Sequence, residues 1–445
     1  MNKILIKNAT IVNEDKIFES DLLIVNDIIS QIDKNISKSN DYKVIDASGK
    51  ILIPGLIDDQ VHFREPGLTH KATINSESKA AVAGGITSFI EMPNTIPQTT
   101  TINELNKKFE IAHKSSYANY SFMFGATNSN LDEIKKINKN EVAALKIFLG
   151  SSTGDMLVDN QQILRDIFLS TDLIIVVHSE DEQIINENLK KYKIKYNSNI
   201  PFDCHSKIRS EEACLKSTKK IIKLAKETNA RLHVFHLSTK LESLLFQNDI
   251  PLKEKKITSE VCVHHLWFSD KDYKDKQSFI KWNPAIKTEE DRDGLWDSLL
   301  DDRIDVIATD HAPHTLEEKS KPYLDCPSGG PLVQHALVSM IQHHLNNKIS
   351  LEKIVTKMCH NPAILFQISK RGYVREGYYA DLVLIDINKS WTVNKDNILY
   401  KCNWSPFEGV QFDSKITHTI VNGKIVYENG LFNSALCGKK LTFNR

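Results

Sequence analysis

A (β/α)8 barrel of the TIM type carrying a small β domain is the fold this sequence predicts, and three observations predict it. Eight β-branched or apolar runs, at 56–62, 86–92, 119–125, 142–149, 173–178, 231–236, 257–264 and 304–309, alternate with amphipathic stretches such as 211–227, where apolar positions recur at helical spacing. The two ends of the chain have another texture, short strands broken by turn residues. Histidines, carboxylates and one lysine fall near the ends of the central runs, where such a barrel carries its chemistry. A doubly wound open sheet is the alternative, but no glycine-rich strand–turn–helix fingerprint supports it, and Gly84-Gly85 reads as a helix C-cap.

Taken in order, Ile4-Leu5-Ile6, Thr10-Ile11-Val12, Leu22 to Val25, Ile28-Ile29 and Val44-Ile45 are strands separated by Asn, Asp and Ser. The far end repeats the pattern at Asp381 to Ile385, Thr417 to Val421 and Lys424 to Tyr427, with Asn422-Gly423 as a hairpin turn. Neither flank has enough strands to bury a sheet alone. Residues 1–53 and 372–445 are therefore expected to pair into one small β-sandwich domain around a barrel at 54–371.

The 445 residues are too many for one small core, and the 26% of charged residues balance to zero. That balance recommends neither nucleic acid nor membrane as a partner. No apolar run approaches the ~20 residues of a membrane span. Met1-Asn2-Lys3 leads directly into strand-like sequence, without the apolar core of a signal peptide. The seven cysteines are scattered and lack Cys-x-x-Cys spacing, which points to a reducing, cytoplasmic setting and away from a thiolate cluster.

The most informative stretch runs from Gly55 to Gly67. Apolar residues give way there to Asp58, Gln60, His62 and Arg64, which strand alternation places on one face. The other runs end alike: Glu91 to Asn94, His178-Ser179-Glu180, His233 to His236, and Thr309-Asp310-His311. Imidazole and carboxylate gathered at several strand ends suit Zn²⁺ or a similar divalent ion, one or two per site. Lys146 sits inside the apolar run 143–149. Desolvation lowers the pKa of such an amine and makes it nucleophilic, so it can capture CO₂ as a carbamate that bridges two metal ions.

The motifs that combine these residues are the segment 54–67, Glu91-Met-Pro-Asn-Thr95, Lys146-Ile-Phe148, His178-Ser-Glu-Asp181, His236-Leu-Ser-Thr239, Glu260 to Leu266 and Thr309-Asp-His-Ala-Pro-His314. Together with Asn361-Pro-Ala363 and Gly377 to Val383, they resemble the amidohydrolase superfamily and, within it, the dihydroorotase family of pyrimidine biosynthesis. The resemblance covers essentially the whole chain. It implies His62 as ligand of a first metal, carboxylated Lys146 as bridge, and His178 and His236 as ligands of a second. Asp310 would ligate the first metal and shuttle the proton. Arg64, Asn94, Asn283, His314 and the Gly329-Gly330 turn would bind an acidic substrate, carbamoyl aspartate or dihydroorotate.

Gln60 departs from the family pattern, which has His-x-His on the first strand. A glutamine oxygen is a poorer zinc ligand, so the first metal is expected to be held more weakly, with Asp58 or Glu260 as further candidates for direct or supporting contact. His264 and His265, read on the seventh strand, face opposite sides, so only one can look into the site. His70 reads as a surface-loop residue, and His205, Arg209 and Glu212 as a solvated helix start. The alternatives are another cyclic amidase, dihydropyrimidinase or allantoinase, or a non-catalytic partner of aspartate transcarbamoylase. A homodimer or higher homo-oligomer is expected, as is association with that transcarbamoylase. Segments 151–154 and 314–331 are the two candidates for a loop closing over substrate.

Overall fold

The computed structural model describes residues 2–150, 156–433 and 435–445, so the loop 151–154 lies outside the described residues. Nine strands from the two ends of the chain form one sheet. Lys3–Asn13 pairs antiparallel with Lys16–Val25 and parallel with both Lys43–Asp46 and Ile51–Pro54. The ends meet where Ile51–Pro54 runs antiparallel to Leu382–Asp386, with Leu382 opposite Pro54 and Ile385 opposite Ile51. Asn422 and Gly423 both have positive φ, as the hairpin turn between Lys415–Val421 and Lys424–Glu428 requires.

The sheet feeds the barrel directly, because only Gly55 separates Ile51–Pro54 from the first barrel strand, Leu56–Val61. A Cβ at Gly55 would fall 2.1 Å from the Thr87 hydroxyl, so this junction has no room for a side chain. The barrel continues through Ile86–Glu91, Asn119–Phe122 with Phe124–Gly125, Leu145–Phe148, Ile175–His178, Leu232–Val234, Ile257–Cys262 and Val306–Ala308, all parallel. It closes where the His62 amide donates to the His311 carbonyl at 2.7 Å. The eight strands are those read from the sequence, in the same order, and the barrel with its β domain is the fold observed.

Two differences matter for the site. The seventh strand stops at Cys262, and Val263–Trp267 is a short helix, so His264 and His265 are not strand neighbours facing opposite ways. On the first strand the pairing with Ile86–Glu91 shifts register between Asp58 and Val61. A shift of that kind re-aims side chains, and simple alternation fails there. Arg64 lies beyond the strand in left-handed backbone, φ +68°.

Helices are set by local chemistry. Thr73 caps Ile74–Ala83 with a reciprocal Thr73/Ser76 box, and Gly84 ends it where a Cβ would meet the Val333 carbonyl at 2.1 Å. Ser210 caps Glu211–Thr228, whose buried face includes Ala213, Ile221, Ile222 and Ala225. At the N-terminal end of the barrel, Ile57, Ile90, Val176 and Val306 pack in one cluster with Phe366, Leu441 and Phe443. This apolar plug leaves the opposite end of the barrel for polar groups.

Candidate active site and metal centre

At that opposite end lies a cavity of about 260 Å³, lined by Gln60, His62, Arg64, Asn94, Lys146, His178, His236, Asn283, Asp310, His314 and Gly329 among others. Eleven residues singled out by the sequence thus meet in one place. Three others stand aside. The Asp58 carboxylate accepts from the Thr309 hydroxyl at 2.6 Å, and its burial pushes its pKa up to about 8. Glu260 sits against His233 Nε2 at 3.1 Å, and its burial likewise raises it. Gly330 packs behind the cavity against Trp282 and Trp404.

The imidazoles are oriented before any ion arrives. His62 Nδ1 is 2.8 Å from the Asn94 side-chain oxygen, to which it donates, so its Nε2 lone pair faces the cavity beside Asp310 at 3.2 Å. His178 Nε2 donates to Glu180 Oε2 at 2.8 Å, and Arg209 donates to the same oxygen. The remaining lone pair, on Nδ1, points at His236 Nε2, 3.0 Å away. A carboxylate behind an imidazole fixes its tautomer and raises its basicity as a ligand. Two ring nitrogens this close on adjacent strands can turn their lone pairs to one cation.

Lys146 is buried to 1% exposure, and its Nζ has no hydrogen-bond partner. The Phe235 ring lies 4.0 Å from it. Burial, only partly offset by Glu260 and Asp310, pushes the amine down to about 7. Asp310, at φ +49°, accepts from Gln60 Nε2 at 3.2 Å, while Gln60 Oε1 accepts from the Cys262 thiol. The donor set fits a divalent ion.

Among the described residues, two further groups have metal-type spacing: Cys262 with His264 and His265, and Asp59 with His233 and Glu260. The register shift turns Asp59 toward His233 on the sixth strand, at 3.8 Å. His264 instead stacks on Trp282 with ring centroids 4.4 Å apart, and His265 Nε2 reaches the Pro284 carbonyl.

Among the cationic groups, Arg64 Nε donates to the Pro313 carbonyl at 3.1 Å, which aims the rest of the guanidinium at the cavity. His205 is no solvated helix start. It is buried between the Tyr323 hydroxyl at 2.7 Å and the Trp282 carbonyl at 2.6 Å, which supports the loop around Asn283. His70 is exposed near Glu318, as read. Sequence reasoning missed Phe148, Trp282 and Ser328 in the cavity wall, and the role of Arg209 behind Glu180. Trp282-Asn283-Pro284 was the available signal for the second of these.

The amidohydrolase family model matches residues 51–426. A dihydroorotase of Methanosarcina acetivorans is 31% identical over 98% of this chain and 94% of its own, and one of Pyrococcus horikoshii is 33% identical over 94% and 90%. Among solved structures, the L-hydantoinase (dihydropyrimidinase) of Arthrobacter aurescens superposes with a TM-score of 0.93 at 26% identity, covering 99% of this chain and 100% of that one. The dihydropyrimidinase of Brevibacillus agri, at 24% identity and TM-score 0.89 over both whole chains, shares the fold. The chain belongs to the amidohydrolase family of metal-dependent cyclic amidohydrolases, and within it to the dihydroorotases.

Proposed function

We propose that this chain catalyses the reversible cyclisation of N-carbamoyl-L-aspartate to (S)-dihydroorotate with loss of water, a step of de novo pyrimidine synthesis. One observation carries the choice of an acidic ring. Arg64, nine-tenths buried and anchored through Nε, presents its terminal nitrogens to the same cavity as the metal-type donors. A planar guanidinium there matches a carboxylate, and a neutral ring has no charge to set against it.

In this reading His62, Lys146, His178, His236 and Asp310 hold zinc, as one or two ions. Bound there, the metal supplies Lewis acidity and an activated water at neutral pH. The Lys146 amine adds to CO₂, forming an N–C bond and releasing a proton, which turns a buried cation into a bidentate anion. Asn94, whose oxygen is engaged by His62, offers its NH₂ to the substrate. Arg64 and His314 hold the acid. Asp310 takes a proton from the carbamoyl nitrogen during cyclisation and returns it to the ring nitrogen during hydrolysis. Gln60 holds the Asp310 carboxylate by one N–H. Residues 54–371 carry the chemistry, and the flanking segments brace it. Among the described residues no helix is long and apolar enough to cross a membrane.

The test compares carbamoyl aspartate cyclisation with dihydrouracil and allantoin hydrolysis by metal-loaded enzyme. Cyclisation is expected to dominate, and faster turnover of either neutral ring would overturn the assignment.

A further inference from the structure

Segment 314–331, one of the two candidates for a loop closing over substrate, gives His314, Pro327, Ser328 and Gly329 to the cavity wall. Between Lys319 and Gly330 it forms neither helix nor strand, so its carbonyls need donors from elsewhere. Two buried lysines supply them. Lys319, 1% exposed, donates from Nζ to the Pro327 carbonyl at 3.1 Å and to the Gly329 carbonyl at 2.9 Å. Lys281, 7% exposed, donates to the Tyr323 carbonyl at 2.7 Å and to the Cys326 carbonyl. The ties run both ways. The Gly329 amide donates to the Lys281 carbonyl at 2.8 Å, and the Cys326 thiol donates to that of Lys319. At the far end the Gly330 carbonyl accepts from the Ala312 amide at 2.9 Å, which fastens the segment to the chain leaving the eighth barrel strand.

Burial pushes the Lys319 amine down to about 7 and that of Lys281 to about 8. A neutral amine still has two N–H groups, one for each of its two carbonyls, so the ties survive the loss of charge. Lifting the segment away would take the acceptors from both amines while they stay in the protein interior. The penalty for such stranded donors falls on the open arrangement alone. The bonded arrangement is therefore the stable one with or without substrate.

We propose that Lys319 and Lys281 are positioning residues for substrate: they hold 323–329 as a fixed wall of the acid-binding cavity, and this segment is not one that opens and closes. The proposal rests on the reading of the cavity as a site for a cyclic acid. Lys319 has the larger share. Its acceptors, Pro327 and Gly329, line the cavity, whereas Tyr323 and Cys326 do not.

The experiment has two arms. In metal-loaded wild type, amide hydrogen exchange across 322–330 is expected to be equally slow with and without saturating dihydroorotate. Slowing of about tenfold or more across the whole stretch only when dihydroorotate is added marks a closing loop and overturns the proposal. In Lys319→Met the same amides are expected to exchange faster, and KM for dihydroorotate to rise about tenfold or more with kcat within about threefold. Lys281→Met is expected to speed exchange as well but to raise KM less. A purely structural role would make KM follow the loss of thermal midpoint in the two variants, and that result overturns the proposal. So does an unchanged KM in Lys319→Met, or a loss confined to kcat. Should either variant not fold, exchange in the wild type decides alone. A wild type that fails to cyclise carbamoyl aspartate sinks the functional reading instead, and fast exchange of 322–330 in the free enzyme sinks the wall, so the two failures are told apart.

Discussion

Two lysines on the barrel are equally buried and have opposite surroundings. Lys108 donates to the Met92 carbonyl at 2.9 Å and pairs with Glu91 at 3.1 Å, and neither partner side chain is exposed. Lys146 has aromatic rings on two sides and no hydrogen-bond partner at all. Burial lowers the pKa of both, yet only Lys108 has a carboxylate in contact to hold its charge. A buried ammonium that is fully engaged is scaffolding, whereas one left without partners is a nucleophile waiting for a reagent. The lesson is that burial alone does not mark a functional lysine. The deficit of partners does.

Variants at the two positions are the sharpest test of this contrast. Lys146→Ala is expected to lose bound metal and to cut turnover by about 10³–10⁴, the loss of several kcal/mol of Lewis-acid assistance. Compared in metal-free protein without bicarbonate, its thermal midpoint should hold or rise, because an unpaired buried amine has been removed. A small carboxylic acid with bicarbonate is expected to restore part of both metal and turnover; full activity without either would make the two lysines alike. Lys108→Met should do the reverse, costing about 3–5 kcal/mol of stability by stranding Glu91, with metal content per folded molecule unchanged. Denaturant titration and metal analysis on the same preparation read both quantities.

Asp310→Asn retains an oxygen for the ion but cannot carry the proton, so turnover is expected to fall about 10²–10³ with a smaller loss of metal. Near-wild-type turnover would assign the proton to another group. The smallest effect is expected at Arg64→Lys, which keeps charge and loses the planar fork: KM for dihydroorotate should rise about tenfold while metal content stays constant. A drop in metal instead would tie Arg64 to the ion rather than to the acid.

How much of this could be read in advance follows from what each signal depends on. The eight strands were legible because each is a short apolar run whose neighbours are helical, a property of local sequence. His62, His178, His236 and Asp310 were legible because they stand at the ends of those runs. Asp59 was not, since its direction depends on a register shift between two strands that no single run encodes. His264 and His265 were misplaced because Val263–Trp267 continues an apolar run while turning into a helix. His205 was misread for a third reason: its partners, Tyr323 and Trp282, lie 118 and 77 residues along the chain. Local pattern gives the elements, and the contacts between distant loops give the chemistry its orientation.

The shared sheet has a bearing on how the molecule comes into being. Ile51–Pro54 finds its antiparallel neighbour only in Leu382–Asp386, and the barrel floor is sealed by Leu441 and Phe443. A nascent chain leaving the ribosome can assemble barrel strands one after another, yet its first strands stay unpaired on one edge until the last are made. Exposed edges of that kind invite association with other chains. Translation speed and chaperone supply, more than equilibrium stability, are then expected to set the yield of folded protein in a heterologous host.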